Sequence, residues 1–256
     1  MPPSTEEEHG WTAVPRSFSK LLASIPDQKP SLPMQVEDIP LPTSELVHQV
    51  TKYAKQNLPE EVFNHSMRVY YYGKDSPPNP NPPNDTNTAP PPQGQAITKQ
   101  HFPTWHYTPS TLLLAALLHD IGTTPTNQSS TRLSFEFSGA ILSLALLKSL
   151  QADISQAELV CETIIRHQDL GDTGNVTTLT AVILFATVFD NVGLHPELVH
   201  QQTIESVVAA FPRNGWTGCF AHVVRKECEL KPWANTTRIE GFAELVEGNT
   251  LMERYD

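Results

Sequence analysis

Two ionisable residues, His119 and Asp120, close an apolar helix. The preceding residues 111–118 read TLLLAALL and require burial, so an imidazole and a carboxylate at their end cost free energy unless something pairs with them. A divalent metal ion is a natural partner, because imidazole nitrogen and carboxylate oxygen are both metal ligands. Gly122 loosens the end of the helix, which allows both side chains to face one ion. His119 and Asp120 are therefore candidate metal ligands.

Two further ionisable residues lie in apolar surroundings. His65 occurs within EVFNHSMRVYYYG, and Asp190 ends the most apolar segment, AVILFATVFDNVG. An aspartate there is buried and unpaired without a cation. Taken singly, His65 reads as a hydrogen-bonded core histidine and Asp190 as a turn residue. Taken together, His, His-Asp and Asp on three apolar helices favour one shared metal site.

That order of residues resembles the HD-domain superfamily of metal-dependent hydrolases and, more narrowly, the fungal cyanamide hydratases. The resemblance covers most of the chain and rests on the blocks FNHSMRVYYYG, LLLAALLHDIGTT, LSFEFSGAI, IIRHQDLGD, FATVFDNVG and GWTGCFAHVVRKECELKPW. It implies an all-helical bundle, hydration of cyanamide to urea, a homo-oligomer and one zinc ion per chain. Carried onto this sequence, the implied ligands are His65, His119, Asp120 and Asp190. Their residue types alone would also accept iron or manganese.

The chemistry expected at such a site is attack of a metal-bound hydroxide on the nitrile-like carbon of cyanamide. Negative charge then builds on the nitrogen, and His167 is the candidate proton donor because histidine titrates near neutral pH. The Thr187 hydroxyl is a candidate partner for the substrate's amino group, since it lies on the helical face of Asp190. We therefore predict catalytic roles for His167, Asp120 and Thr187, with substrate binding by His167 and Thr187. The structural alternatives are a histidine at a helix C-terminus and a threonine bonded to its own helix.

The elements that must position these residues are helices, because no stretch alternates with the period of a strand. The fold class is therefore all-α. Residues 1–42 form a proline-rich extension and 43–256 one HD-type domain, interrupted at about 74–100 by a proline-rich, disordered insertion. A short helix is expected near 17–24. Within the domain, helices are expected from Thr43 or Ser44 and over 60–72, 109–120, 132–150, 156–167, 177–192, 195–211 and 218–229.

Composition excludes several classes of protein. The 256 residues carry a net charge of −11, which disfavours nucleic-acid binding because phosphate contacts are made by Lys and Arg. Three cysteines fit a reducing compartment better than a disulfide framework. No apolar run reaches the roughly 20 residues of a membrane span. We expect a cytoplasmic protein that binds a small neutral substrate, cyanamide, and neither nucleic acid nor membrane.

Three alternatives stay open from the sequence. The first is an HD-type phosphohydrolase acting on a nucleotide or other phosphate ester, for which Arg68, Arg132 and Arg166 are the nearest cations in sequence. The second is a hydratase of another small nitrile or isocyanide. The third is a scaffold without catalysis, which four intact ligand positions disfavour.

Overall fold

The fold is all-α, as the sequence predicts, with one short two-stranded ribbon. The computed structural model describes residues 8–25, 30–73 and 97–256. Strands β1 (Ala13–Pro15) and β2 (Asn175–Thr177) pair antiparallel. The helices are α1 (Phe18–Ala23), α2 (Glu45–Asn57), α3 (Glu60–Gly73), α4 (Ile97–His101), α5 (Pro109–Leu118), α6 (Pro125–Ser130), α7 (Phe135–Ser149), α8 (Ile154–Arg166), α9 (Thr178–Val192), α10 (Gln201–Ala210), α11 (Trp216–Leu230) and α12 (Phe242–Glu247).

Helix starts are set by side chains that accept hydrogen bonds from the first turn. Ser44 accepts from the amide of Val47 at the start of α2, and Thr108 does the same at α5, where Pro109 follows at a position that needs no amide donor. Thr177 caps α9 in the same way. These local signals explain why the predicted starts of α2, α5 and α9 lie within about one residue of the observed starts. Helix α10, predicted from 195, begins instead at Gln201.

Helix α9 is the centre of the core. Every residue from Thr178 to Asn191 is buried, as expected of a helix that is apolar on all sides. It packs against α3 and α8, while α3 also packs against α5 and α11. The helices that carry His65, His119 and Asp190 are thereby brought together. Within the described ranges, no helix is both long and apolar enough to cross a bilayer.

A glycine contact fixes the chain just after His119 and Asp120. The turn Ile121–Thr123 lies against the first part of α7, and a Cβ at Gly122 would collide with the backbone carbonyl of Phe135. Gly139 provides the matching space on α7, since its own Cβ would lie 3.1 Å from the Gly122 amide nitrogen. Gly122 therefore does more than end a helix: it permits the close approach that holds the turn in place.

The N-terminal segment, which the sequence predicts to be a proline-rich extension, packs on the bundle. Trp11 donates from Nε1 to the Ser155 hydroxyl at 2.9 Å. Phe18 stacks on Phe185 with ring centroids 4.5 Å apart. The predicted helix near 17–24 is present as α1, with Ser17 as its N-cap.

The end of the predicted insertion also differs from expectation. Residues 74–96 of the insertion lie outside the described residues, but 97–100 belong to α4, and Ile97 is buried against the core. A helix as short as α4 has too few turns to show a periodic pattern of apolar residues in the sequence. Helices α6 and α12 were missed for the same reason.

Candidate metal centre

Three of the four predicted ligands lie together at the end of α5. His65, His119 and Asp120 are buried and their ligand atoms lie within 4.8 Å of one another. The Nε2 atoms of His65 and His119 are 3.2 Å apart. Oδ2 of Asp120 lies 3.2 Å from Nε2 of His119 and 3.6 Å from Nε2 of His65.

The protonation of the two histidines shows why this cluster fits a cation. Nδ1 of His119 lies 2.7 Å from the Ala116 carbonyl oxygen, which can only accept, so Nδ1 carries the proton. Nδ1 of His65 donates in the same way to Asp190 at 2.7 Å. With both rings neutral, the two Nε2 atoms are acceptors that face each other, an arrangement that is repulsive without a proton or a metal cation between them.

The carboxylate of Asp120 is the third group of the cluster. Both of its oxygens are buried, and neither accepts a hydrogen bond from the described part of the chain. Burial opposes charge on both Asp120 and His119, but their mutual attraction lowers the pKa of Asp120 and raises the pKa of His119. Without a metal, a proton on His119 thus supplies the positive charge that a metal cation would bring. Two imidazole lone pairs and one unpartnered carboxylate are a suitable donor set for a divalent ion such as zinc, whose tetrahedral nitrogen ligands lie about 3.3 Å apart at ordinary bond lengths.

Asp190 lies on the far side of His65, apart from these three residues. Its Oδ2 accepts from Nδ1 of His65, and Arg68 donates to both of its oxygens at 2.9–3.1 Å. Nη1 of Arg213 donates to Oδ1 at 3.0 Å. Asp190 thus contacts the Nδ1 edge of the His65 ring, opposite the Nε2 atom that faces His119. The cation that a buried aspartate requires is here supplied by two guanidinium groups.

These contacts determine the charge states. Burial raises the pKa of Asp190, but Arg68 and Arg213 outweigh it and keep this carboxylate ionised. Burial lowers the pKa of His65 to about 4, although Asp190 opposes that change. His65 is thus a neutral imidazole at pH 7, as a metal ligand must be. Arg68 is therefore a buried ion-pair partner of Asp190.

Trp216 fixes the ring of His65 from its face. The two rings stack with centroids 4.3 Å apart, and Nε1 of Trp216 donates to Oδ1 of Asn191 at 2.8 Å. Sequence reasoning missed Trp216, Asn191 and Arg213 as parts of this site. Arg213 lies in a loop and Trp216 follows it closely, so neither stands at a periodic position relative to His65.

His167 and Thr187 both line the cavity that opens beside Asp120. Nε2 of His167 is 3.7 Å from Oδ1 of Asp120, while Nδ1 lies 2.6 Å from the Ile164 carbonyl oxygen and therefore donates to it. Burial lowers the pKa of His167 to about 4, so its Nε2 is an acceptor at neutral pH. The Thr187 hydroxyl donates to its own helix at Ile183, 2.8 Å away, which leaves its oxygen able to accept a hydrogen bond.

The cavity has a volume of about 260 Å³ and runs from a buried polar floor to an apolar mouth. Asp120 is almost fully buried, whereas Leu194 and Leu245 are about half exposed. Gln168 also lines the cavity; its buried Oε1 accepts no hydrogen bond from the described residues. Sequence reasoning missed Gln168, although it directly follows His167. It also missed Phe18 of the N-terminal segment, which is part of the wall.

Three arginines join the segments around the cavity mouth at Asp169. Arg16 and Arg238 donate to Oδ1 at 2.8 Å, and Arg166 donates to Oδ2 at 2.8 Å. Burial raises the pKa of Asp169, but these hydrogen bonds outweigh it and lower the pKa to about 2. The N-terminal segment, the end of α8 and the loop before α12 therefore meet at one carboxylate.

We expect Asp169→Asn to lower the free energy of unfolding at neutral pH by about 1–2 kcal/mol, because it removes charge-assisted hydrogen bonds at a partly exposed position. The pKa of Asp169 is lower in the folded chain than its ordinary value of 3.8. Its stabilisation is thus complete above about pH 4 and lost as the pH falls towards 2. Denaturant titrations of both proteins over this pH range test this. If the free energy of unfolding fell equally with pH in both proteins, the ionic role of Asp169 would be contradicted.

Comparison with known proteins agrees with the site. The family model of the HD domain matches residues 62–210. Two cyanamide hydratases of Saccharomyces cerevisiae, DDI2 and DDI3, are each 36% identical to the chain over 246 residues. That alignment covers 95% of this chain and 98% of each relative. The matched HD-domain region contains all four of the predicted ligand positions.

Proposed function

This chain belongs to the cyanamide hydratase family of HD-domain proteins, and from this premise we propose that it adds water to cyanamide to form urea. The observation that carries the proposal is the cluster of His65, His119 and Asp120, whose facing lone pairs and unpartnered carboxylate need a cation. We propose these three residues as the ligands of one divalent ion, with zinc as the metal. Asp190 then accepts the Nδ1 proton of His65 and so orients this ligand, as carboxylates commonly do at metal-binding histidines.

His65, His119 and Asp120 would hold a divalent ion, which would acidify a water and so supply a nucleophile near neutral pH. The protein's own contribution begins with His167. Its Nε2 is unprotonated, since Nδ1 carries the proton that bonds Ile164, so it can accept a proton from the attacking water. The same Nε2 can then return that proton to the nitrile nitrogen of the substrate. His167 is therefore proposed first as a base and then as an acid, which extends the sequence prediction of a proton donor.

Thr187 is proposed to orient the substrate. Its hydroxyl proton is engaged with the carbonyls of its own helix, so only the oxygen lone pair is available to the cavity. A lone pair binds a donor, and cyanamide's amino group is one. This polarity supports the predicted contact between Thr187 and the substrate amino group.

The cations available do not support phosphate-ester hydrolysis. Arg68 is engaged by Asp190 and by the carbonyl oxygens of Phe211 and Pro212. Arg166 binds Asp169, as described above, and Arg132 lines a separate cavity. Since none of the three arginines considered from the sequence is free beside the site, a small neutral substrate fits the cavity better than a phosphate.

The direct test is urea formation from cyanamide by the purified protein, with the metal content measured by elemental analysis. We expect urea formation and about one zinc per chain. A folded, metal-loaded protein that forms no urea would contradict the proposed reaction. Iron or manganese at full activity would correct only the identity of the metal.

Replacing His167 by glutamine should lower kcat by about 10²–10⁴-fold while the metal is retained, because general acid–base catalysis is lost and no ligand is removed. Urea release and metal content are measured on the same sample. Loss of the metal together with activity would show that His167 is a ligand rather than a proton carrier. His222, an exposed histidine on α11, provides the matched control as His222→Gln.

We also propose a homo-oligomer in the cytoplasm. Helix α7 exposes Phe137, Ile141 and Leu142, an apolar surface suited to a subunit contact. The three cysteines are free thiols, in keeping with a reducing compartment. Light scattering coupled to gel filtration tests the assembly: a monomeric mass at micromolar concentration would contradict it.

A further inference from the structure

We propose that Asp256 is a positioning residue of the metal centre, which it supports through Arg213 and Asp190. By this path it strengthens the binding of a divalent cation at His65. The inference rests on the proposed metal site, because His65 is one of its proposed ligands. It adds a residue of the C-terminal segment 248–256, all of which is described and none of which lines the cavity.

A continuous line of hydrogen bonds joins Asp256 to His65. Oδ1 of Asp256 accepts from Nε of Arg213 at 2.8 Å. Nη1 of Arg213 donates to Oδ1 of Asp190 at 3.0 Å, and Oδ2 of the same carboxylate accepts from Nδ1 of His65 at 2.7 Å. The side chain of Asp256 is 21% exposed, whereas the other three are fully buried. Since burial reduces screening by water, a charge acts along this line more strongly than at the surface.

The charges of this buried group balance only when Asp256 is included. Asp190 is a single carboxylate between two guanidinium groups, those of Arg68 and Arg213. The imidazole bonded to Asp190 is neutral at pH 7, so it contributes no charge. Within the described ranges, Asp256 is the only other carboxylate bonded to either arginine. It therefore offsets the excess positive charge beside the proposed metal ligand.

The C-terminal segment is also attached to the backbone of Asp190, at the end of α9. Nδ2 of Asn249 donates to the Asp190 carbonyl oxygen at 3.1 Å, and Oδ1 of Asn249 accepts from the amide of Met252. Gly193 makes room for this contact, since a Cβ there would collide with Oδ1 of Asn249. The segment is thus bound at two points, which gives Asp256 a defined position relative to Asp190.

Loss of the Asp256 charge should weaken metal binding for two reasons. The unbalanced positive charge of Arg213 would repel a divalent cation at His65. Arg213 would also attract the Asp190 carboxylate more strongly, which would make Asp190 a weaker acceptor for the Nδ1 proton of His65. Because such acceptors raise the basicity of a metal-binding histidine, the metal would be held less tightly. Both effects have the same sign.

The experiment measures zinc affinity by competition with a chelator, for the purified full chain and for Asp256→Asn. We expect the variant to bind zinc about 3–10-fold more weakly, a smaller loss than the roughly 10–100-fold typical of a direct partner of a ligand histidine. Asp256→Glu keeps the charge and should lie within about twofold of the parent protein. Equal affinities of the parent protein and Asp256→Asn would overturn this inference alone. A parent protein that binds no zinc would overturn the proposed metal site itself.

Thr217→Val is the matched control, because it removes a neutral partner of the same guanidinium. The Thr217 hydroxyl accepts from Nη2 of Arg213 at 3.0 Å, so this variant disturbs Arg213 without changing any charge. We expect its zinc affinity to lie within about twofold of the parent protein. An equal loss of affinity in Thr217→Val and Asp256→Asn would show that the contacts of Arg213 matter only structurally, and would overturn the inference.

A second measurement follows the Nδ1 proton of His65 by NMR in the zinc-loaded protein. The chemical shift of this proton reports the strength of its hydrogen bond to Asp190. It should move upfield in Asp256→Asn, where that bond is weaker, and stay in place in Thr217→Val. An unchanged shift in Asp256→Asn would contradict transmission through Asp190.

Discussion

Replacing Asp120 by alanine should remove both the metal and the activity. We expect kcat/KM for cyanamide to fall by at least about 10³-fold, since the variant lacks the site's only anionic ligand among the described residues and cannot acidify water. The bound metal should fall below about one tenth per chain after dialysis. Elemental analysis and urea release on the same preparation check both expectations.

The control for this variant is Glu229→Ala, which removes an exposed carboxylate near the end of α11, where neither the residue nor its chain neighbours line the cavity. It should retain full metal content and turnover. Circular dichroism should show the same helical content in both variants, because Asp120 lies in the turn after α5 rather than inside a helix. An Asp120→Ala protein with a stoichiometric metal and normal turnover would contradict the assignment of this residue.

Much of the fold was predictable because its signals are local. Capping residues such as Ser44 and Thr108 precede apolar stretches of helical length, and the structure begins α2 and α5 there. The helical class follows from these stretches, whereas the HD family was indicated by the resemblance of the blocks that contain the ionisable residues. What the sequence could not provide was the packing of residues 8–25 and 30–42, because their contacts with the bundle join positions more than 100 residues apart.

The residues that form the metal site were predictable from the sequence, but most of the residues that contact them were not. His65, His119 and Asp120 stand out as ionisable residues in apolar surroundings, and the structure brings them together. Arg213 carries no such signal, since an arginine in a polar loop is ordinary until the fold buries it beside Asp190. The same holds for Gln168, whose significance is visible only as an acceptor without a donor.

The position of Asp190 leads to the second large expected effect. Asp190→Asn removes one buried negative charge and leaves the guanidinium groups of Arg68 and Arg213 without their shared partner. Breaking a buried ion pair on one side costs about 3–5 kcal/mol of folding free energy. The variant should therefore unfold at markedly lower denaturant concentration than the parent protein, a loss measured by equilibrium unfolding in urea.

The effect of Asp190→Asn on the metal separates an orienting residue from a ligand. As the partner of Nδ1 of His65, Asp190 fixes the ring and its tautomer, and loss of such a partner typically weakens metal binding about 10–100-fold. Competition with a chelator should show this partial loss, in contrast to the near-complete loss in Asp120→Ala. Asp169→Asn is the control, since the same chemical change at the cavity mouth should leave metal affinity unaltered.

If Asp190 binds both arginines and His65 as observed, Asp190→Asn should lower both the folding stability and the metal affinity. A carboxylate bound by two arginines and a histidine stabilises the fold and, through His65, the site, so the losses of stability and of metal affinity share one cause. A direct ligand without this ionic role would give the opposite pattern: complete loss of the metal with a metal-free protein of normal stability. That pattern would return Asp190 to the four-ligand set that the sequence predicts.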